Sequence, residues 1–110
     1  MENQILEKTK KYFEYFNSKD INSLSNLFSN DVQLIDWVGS WNGKVDVIDI
    51  YSKVFLSGNV SVYETSEIDI VNQKSFNLIK LKVDDELLDV IDILHFDSEY
   101  KIIKINAFKQ

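Results

Sequence analysis

The chain has 110 residues and a formal net charge of −6, with 45% hydrophobic and 27% charged residues, which suits one domain, residues 1–110, around one core. It contains no cysteine and no arginine. These absences exclude disulfides, thiolate chemistry and recognition of phosphate by an arginine fork. The acidic balance disfavours nucleic acid and anionic membrane surfaces as partners. A single histidine disfavours a His-rich metal site, and no cofactor is expected.

The first residues are polar and helix-periodic, and they lack the apolar segment of a signal peptide. No apolar run approaches the length of a transmembrane helix. A cytoplasmic location is therefore the expectation.

Two helices are predicted at the amino-terminal end of the chain. Residues at helical spacing indicate a first helix over about residues 2–18: Ile5, Thr9, Tyr12, Phe13 and Phe16. Asp20 is the predicted N-cap of a second helix, which carries Leu24, Leu27 and Phe28.

A short strand is predicted next, at about residues 31–37, followed by a third helix that ends at Gly58. The remainder alternates as strands, at about residues 59–71, 74–83, 87–97 and 100–109, with turns at 72–73, 84–86 and 97–99. Helices first and a strand meander last predict an α+β domain, with the helices packed on one face of a curved sheet.

The strand at residues 87–97 is apolar on both faces. One face can meet the helices, whereas the other, which carries Ile91, Ile93 and His95, needs a different cover. A second copy of the chain is the simplest cover, so a homodimer is predicted.

Three polar residues lie on faces that are otherwise apolar. Asp36 alternates with Val32 and Leu34 along the first strand, Asp92 lies between Val90 and Leu94, and Tyr12 shares a helix face with Phe16. Burying an unpaired carboxylate costs several kcal/mol, on the order of a domain's whole stability. Structural roles are open alternatives: Asp36 as a turn acceptor, Asp92 as a partner of backbone amides, and Tyr12 as core.

Two stretches resemble a known family. "YFEYFNSKDINSLSNLFSNDVQLIDWVGSWNGKVDVIDIYSKVF", residues 12–55, resembles the amino-terminal half of the nuclear-transport-factor-2-like (NTF2-like) superfamily, in its SnoaL-like and ketosteroid-isomerase branch. "VIDILHFDSEYKIIKINAFK", residues 90–109, resembles the last hairpin of that superfamily. The resemblance implies a cone-shaped, cystatin-like fold, in which three amino-terminal helices pack on a strongly curved, mostly antiparallel sheet.

The resemblance also implies roles for individual residues. Asp36 matches the general base of ketosteroid isomerases, while Tyr12 and Asp92 match their two oxyanion-hole donors, of which the aspartate is protonated. Tyr51 matches a tyrosine that supports the catalytic one through a hydrogen bond.

Apolar neighbours of these residues are predicted to wall a ligand pocket: Phe16, Trp37, Trp41, Phe55 and Val90. Strand alternation puts Trp37 on the face opposite Asp36 unless the chain bends at the turn, so either Trp37 or Trp41 is expected beside Asp36.

Two functions follow from this pocket. One is proton transfer next to the carbonyl of a small hydrophobic ketone, of isomerase or cyclase type. The other is a non-catalytic small-ligand binder or dimeric accessory protein. Three polar groups in one pocket favour catalysis, because binding alone needs fewer buried carboxylates.

Overall fold

The structure, a computed structural model, describes residues 2–110. The helices are α1 (Glu2–Ser18), α2 (Ile21–Leu27) and α3 (Lys44–Ser57). The strands are β1 (Phe28–Ile35), β2 (Ser40–Asn42), β3 (Val60–Val71), β4 (Lys74–Val83), β5 (Glu86–Phe96) and β6 (Ile102–Lys109). Within the described residues, no helix has the length and apolar content required to cross a membrane.

The helix ends form where the sequence predicts them. The Asp20 carboxylate accepts a hydrogen bond from the Ser23 backbone N–H at 3.1 Å and so caps α2. Gly58 ends α3 in the left-handed region, with φ +74° and its N–H bonded to the Phe55 carbonyl. The observed helix bounds therefore agree with the predicted ones within the usual uncertainty at helix ends.

The six strands form one sheet in the order β2-β1-β6-β5-β4-β3. Every neighbouring pair is antiparallel except β1 and β6, which are parallel. Register shifts interrupt the β1–β6, β3–β4 and β5–β6 pairings, and such bulges bend strands. The predicted α+β class with a curved, mostly antiparallel sheet is confirmed.

The core lies between the inner face of this sheet and the helices. Its largest fully buried side chains come from every layer, including Ile5 of α1, Leu24 of α2, Val47 of α3, Phe28 of β1, Leu94 of β5 and Ile105 of β6. Within residues 2–110 the three helices pack on one face of the sheet, and none of them covers its outer face.

Two details of the predicted elements are wrong. The first strand begins at Phe28, directly after α2, rather than near residue 31, because Phe28 already has an extended backbone with φ −91° and ψ 140°. Strand β2 was not predicted, because three residues are too short to show an alternating pattern. It pairs with β1 through Leu34 and Trp41.

Replacing Gly58 by alanine tests the end of α3. Alanine is strained at φ +74°, so we expect Gly58→Ala to lower the free energy of unfolding by about 1 kcal/mol. Leu56→Ala is the control, because Leu56 is 86% exposed on the same helix and its truncation is expected to be close to neutral. Urea unfolding monitored by circular dichroism measures both; equal stabilities of the two variants would contradict the assignment.

Candidate active site

A cavity of about 330 Å³ lies between the inner face of the sheet and helices α1 and α3. Its wall is mostly aliphatic and aromatic, and the polar side chains that reach it are Tyr12, Asp36, Tyr51 and Asp92. These four come from α1, the end of β1, α3 and β5. The tertiary fold therefore brings the sequence-predicted polar residues together in one apolar pocket, which is typical of small-molecule sites.

Of the other predicted lining residues, Phe16, Trp37 and Val90 line the cavity, whereas Trp41 and Phe55 do not. Trp37 reaches it because the chain turns after Ile35, where the Asp36 N–H bonds to the Gly39 carbonyl at 3.0 Å.

The two aromatic residues outside the lining pack elsewhere. Trp41 lies over Gly39, where a Cβ atom would come within 3.4 Å of the indole ring. Phe55 packs edge-on against Phe16, with ring centroids 5.4 Å apart.

Much of the wall comes from residues that sequence reasoning did not single out. They are apolar side chains of β3 and β4, namely Val60, Val62, Ile79, Leu81 and Val83. Alternation of apolar and polar residues along a strand predicts only that these side chains face inward. Inward-facing side chains of a filled core and of a pocket wall show the same alternation. Only the sheet curvature distinguishes the two.

Asp36 takes part in both the turn and the cavity. Its Oδ1 accepts hydrogen bonds from the backbone N–H groups of Val38 at 2.7 Å and Gly39 at 3.1 Å. The side chain is half-buried and lines the cavity beside Trp37, which is 42% exposed. The turn holds one carboxylate oxygen and leaves Oδ2 as the oxygen it does not use.

Tyr12 and Tyr51 share a buried hydrogen bond between their hydroxyl groups, in which either can donate. Burial raises the pKa of Tyr12 well above its ordinary value, and the charges of Tyr51 and Asp92 raise it further. Burial also raises the pKa of Tyr51, again with a contribution from Asp92. Both phenols are therefore neutral at physiological pH, and the pair has one hydroxyl hydrogen left to donate to a ligand.

Asp92 is 6% exposed and lies between the buried side chains of Val90 and Leu94. Burial, with the nearby charge of Asp36, raises the pKa of this carboxyl to about 7. The protonated form therefore predominates below pH 7. A protonated carboxyl can donate a hydrogen bond into the cavity, which a carboxylate cannot do.

Among the described residues, no cluster of three or more His, Cys, Asp or Glu side chains could hold a metal ion. His95 lies on the outer face of the sheet, opposite Lys74 and Lys104 in register, and is remote from the cavity lining. Burial and these two lysines lower the pKa of His95.

The raised pKa of Asp92 makes the stability of the protein depend on pH. The native state holds this proton more tightly than the unfolded chain, whose pKa is the ordinary 3.8. The contribution of Asp92 to the free energy of unfolding therefore falls as pH rises from about 4 to about 7.

Asp92→Asn removes this titration. We expect the free energy of unfolding of the variant, relative to wild type, to increase as pH rises through that range. The total increase should be on the order of 4 kcal/mol. Urea unfolding at several pH values measures the difference. Asp69→Asn, at an exposed position on β3, is the control for loss of a charge. A difference between Asp92→Asn and wild type that does not change with pH would contradict burial of the carboxyl.

Comparison with known proteins finds the fold through structure alone. No family model matches the sequence, and no curated protein matches it. An NTF2-like protein of unknown function from Cytophaga hutchinsonii is similar over 96% of this chain and 89% of its own, with TM-score 0.84 and 6% identity.

Two further solved structures extend this likeness. A candidate ketosteroid isomerase from Kribbella flavida is similar over 98% of this chain and 78% of its own, with TM-score 0.86 and 14% identity. A candidate isomerase of the SnoaL-like family from Agrobacterium tumefaciens covers 98% of both chains, with TM-score 0.81 and 13% identity. The chain thus has the NTF2-like fold that the sequence resemblance predicted, shared with SnoaL-like and ketosteroid-isomerase-like structures.

Proposed function

We propose that the protein binds a small, uncharged, apolar ketone in the cavity and transfers a proton at the carbon next to the carbonyl. The observation that carries this proposal is that Asp36, Tyr12 and Asp92 line one cavity whose wall is otherwise apolar apart from Tyr51. A base and two hydrogen-bond donors around one pocket are the groups that enolisation requires.

Each polar group has one part in the reaction. Asp36 uses Oδ2 to take the proton, and the electron pair of the broken C–H bond moves through the α-carbon to the carbonyl oxygen. Tyr12 and protonated Asp92 donate hydrogen bonds to this oxygen as it gains negative charge. Asp36 then returns the proton to the same carbon or, in a conjugated enolate, to another. Tyr51 holds the Tyr12 hydroxyl in position through their hydrogen bond.

The chemistry of the cavity wall supports an uncharged ligand. Neither lysine nor histidine occurs among the described residues that line the cavity, whereas two carboxyl groups do. A carboxylate or phosphate ligand would lose its hydration there without gaining a cationic partner. The surrounding aliphatic side chains instead stabilise bound hydrocarbon by removing it from water.

The structural neighbours agree with this choice of chemistry. Two of them are named as a candidate ketosteroid isomerase and a candidate SnoaL-like isomerase. Because one fold hosts many activities, the side chains of the cavity carry this proposal and the neighbours only support it.

Non-catalytic ligand binding is the second candidate function, and one contact favours it. The Asp36 Oδ1 atom accepts two hydrogen bonds from the turn at residues 36–39, so the turn alone can account for an aspartate at this position. A binding protein with this cavity would take up the same apolar ligands without converting them.

We also propose that the protein is a homodimer through the outer face of the sheet. Ile91 lies in register between Leu78 and Phe108, which are 42% and 51% exposed. Ile93 lies in register between Phe76 and Asn106. A contiguous apolar surface of this kind is typical of protein interfaces, and a second copy of the chain would bury it.

Asp36→Asn tests the catalytic proposal. Asparagine retains the oxygen that the turn uses but is too weak a base to take the proton, so we expect turnover to fall by roughly 100-fold or more. A β,γ-unsaturated cyclohexenone and a β,γ-unsaturated ketosteroid serve as substrates, and the ultraviolet absorbance of the conjugated product measures the rate. Asp31→Asn is the control, because it removes one carboxylate from an exposed position on β1, the strand that leads to Asp36.

Trp37 fluorescence separates the two candidate functions, because this ring lines the cavity. Quenching by either ketone without formation of conjugated product in the wild-type protein would support the binding protein. Neither quenching nor product would contradict both candidates for this ligand class.

Ile93→Lys tests the dimer. A lysine in the middle of the apolar outer face carries a desolvation cost on association, so we expect the variant to be monomeric at micromolar concentration while the wild type is dimeric. Light scattering coupled to size exclusion measures the mass. Leu56→Lys, at an exposed position on α3, should remain dimeric; a wild-type protein that is monomeric at this concentration would contradict the proposal.

A further inference from the structure

A second group of buried polar side chains lies next to Asp92, on α1 and β4, and does not line the cavity. Thr9, Ser75 and Asn77 are all fully buried. The Thr9 hydroxyl donates to Ser75 Oγ at 2.8 Å, and the Asn77 amide nitrogen is 3.2 Å from the same oxygen. These contacts join α1 to β4 beneath the site.

Asn77 is the direct neighbour of Asp92 across the β4–β5 pair. Both side chains point to the inner face, since both are buried in strands whose exposure alternates. Side chains opposed in this way have Cβ atoms about 5 Å apart, close enough to interact.

The hydrogen bonds of Asn77 define the orientation of its amide. Its Nδ2 donates to the main-chain carbonyl of Asp92 at 2.9 Å and lies near Ser75 Oγ. The reversed amide would place an oxygen against the Asp92 carbonyl oxygen, which is repulsive. Nδ2 is therefore engaged, and Oδ1 is the atom of this amide that still needs a donor.

Two directly opposed residues, Asn77 and Asp92, each have a buried acceptor without a donor. Asn77 Oδ1 and Asp92 Oδ1 are both buried and have no hydrogen-bond partner within residues 2–110. Buried polar atoms in native proteins are almost always paired. A hydrogen on Asp92 Oδ1 would satisfy both atoms at once, whereas an ionised carboxylate would leave two acceptors unsatisfied.

We propose that Asn77 is a positioning residue for Asp92, accepting a hydrogen bond from the protonated carboxyl through its Oδ1 atom. This contact holds Asp92 Oδ1 toward β4 and leaves Oδ2 to face the cavity. The consequence for catalysis rests on the proposed function. Asn77 is the resting acceptor of the proton, and a half rotation of the carboxyl presents that proton to the enolate oxygen, which is the stronger acceptor.

The ionisable groups that face Asp92 come from three directions. They are Tyr12 of α1, Tyr51 of α3 and Asp36 after β1. Its neighbours in register on the flanking strands, Asn77 and Ala107, do not ionise. Asp36 is therefore the carboxylate whose charge bears on the titration of Asp92, and Asn77 acts on it through a hydrogen bond rather than through charge.

The test is the titration of Asp92 in the ligand-free protein, followed by NMR of ¹³C-labelled aspartate side chains and assigned with Asp92→Asn. Asn77→Leu removes the acceptor and makes the surroundings more apolar. Loss of the hydrogen bond lowers the Asp92 pKa, whereas greater burial alone raises it. We expect a fall of about one pH unit, the size of one hydrogen bond to the neutral form; an unchanged or raised pKa would overturn the proposal.

Ser75→Ala is the matched control, because it alters the same buried group but retains Asn77 Oδ1. In Ser75→Ala the pKa of Asp92 should stay close to its wild-type value. A fall in this pKa as large as the one in Asn77→Leu would overturn the specific role of Asn77. If Asn77→Leu does not fold, Asn77→Val removes the same acceptor with a residue suited to a strand and decides in the same way.

This titration is independent of turnover. If neither ketone probe is bound or converted while the Asp92 pKa falls in Asn77→Leu, the proposed function fails and the role of Asn77 stands. If the probes are converted but the pKa does not fall, the proposed function stands and Asn77 is a structural residue only.

Discussion

Burial of the Asp92 carboxyl under α1 and α3 is the constraint on which the site depends. Between apolar neighbours the charged form loses hydration, so the pKa of the carboxyl rises to about 7 and the group becomes a hydrogen-bond donor below that pH. The same burial raises the pKa values of Tyr12 and Tyr51. Below pH 7, one physical cause, burial away from water, thus keeps three acidic groups protonated beside Asp36, whose side chain accepts hydrogen bonds from the turn at residues 36–39.

The cavity follows from the shape of the sheet. Bulges in three of the strand pairings bend it, and three helices on its concave side meet the core without filling the end between α1 and α3. The residual space of about 330 Å³ costs stability, because its wall lacks contacts that a filled core would have. Asp92, whose buried Oδ1 atom has no hydrogen-bond partner among residues 2–110, lines this same cavity. The cavity therefore lowers stability at the place where a bound ligand would supply the missing contacts. Proteins commonly have such locally unfavourable packing at functional sites.

Local sequence patterns predicted most of the helices and strands, because helix caps and side-chain periodicity depend on residues close together in the chain. Asp20 and Gly58 define helix ends through a side-chain acceptor and a left-handed backbone. Strand β2 and the start of β1 at Phe28 escaped prediction, since they depend on pairing with distant strands rather than on their own periodicity. Strand alternation predicted Trp37 on the face opposite Asp36 unless the chain bends at the turn. The chain does bend there, with a hydrogen bond from the Asp36 N–H to the Gly39 carbonyl, and Trp37 rather than Trp41 lines the cavity.

By itself, the sequence determined the α+β class, the inward direction of Tyr12, Asp36 and Asp92, and the apolar surroundings of each, because alternation and helical spacing set which way a side chain points. Tertiary structure alone decided that the three meet in one cavity, that Asp36 also serves a turn, and that Asn77 opposes Asp92. Strand register and sheet curvature arise from contacts between residues far apart in the chain, so a local sequence pattern does not predict them.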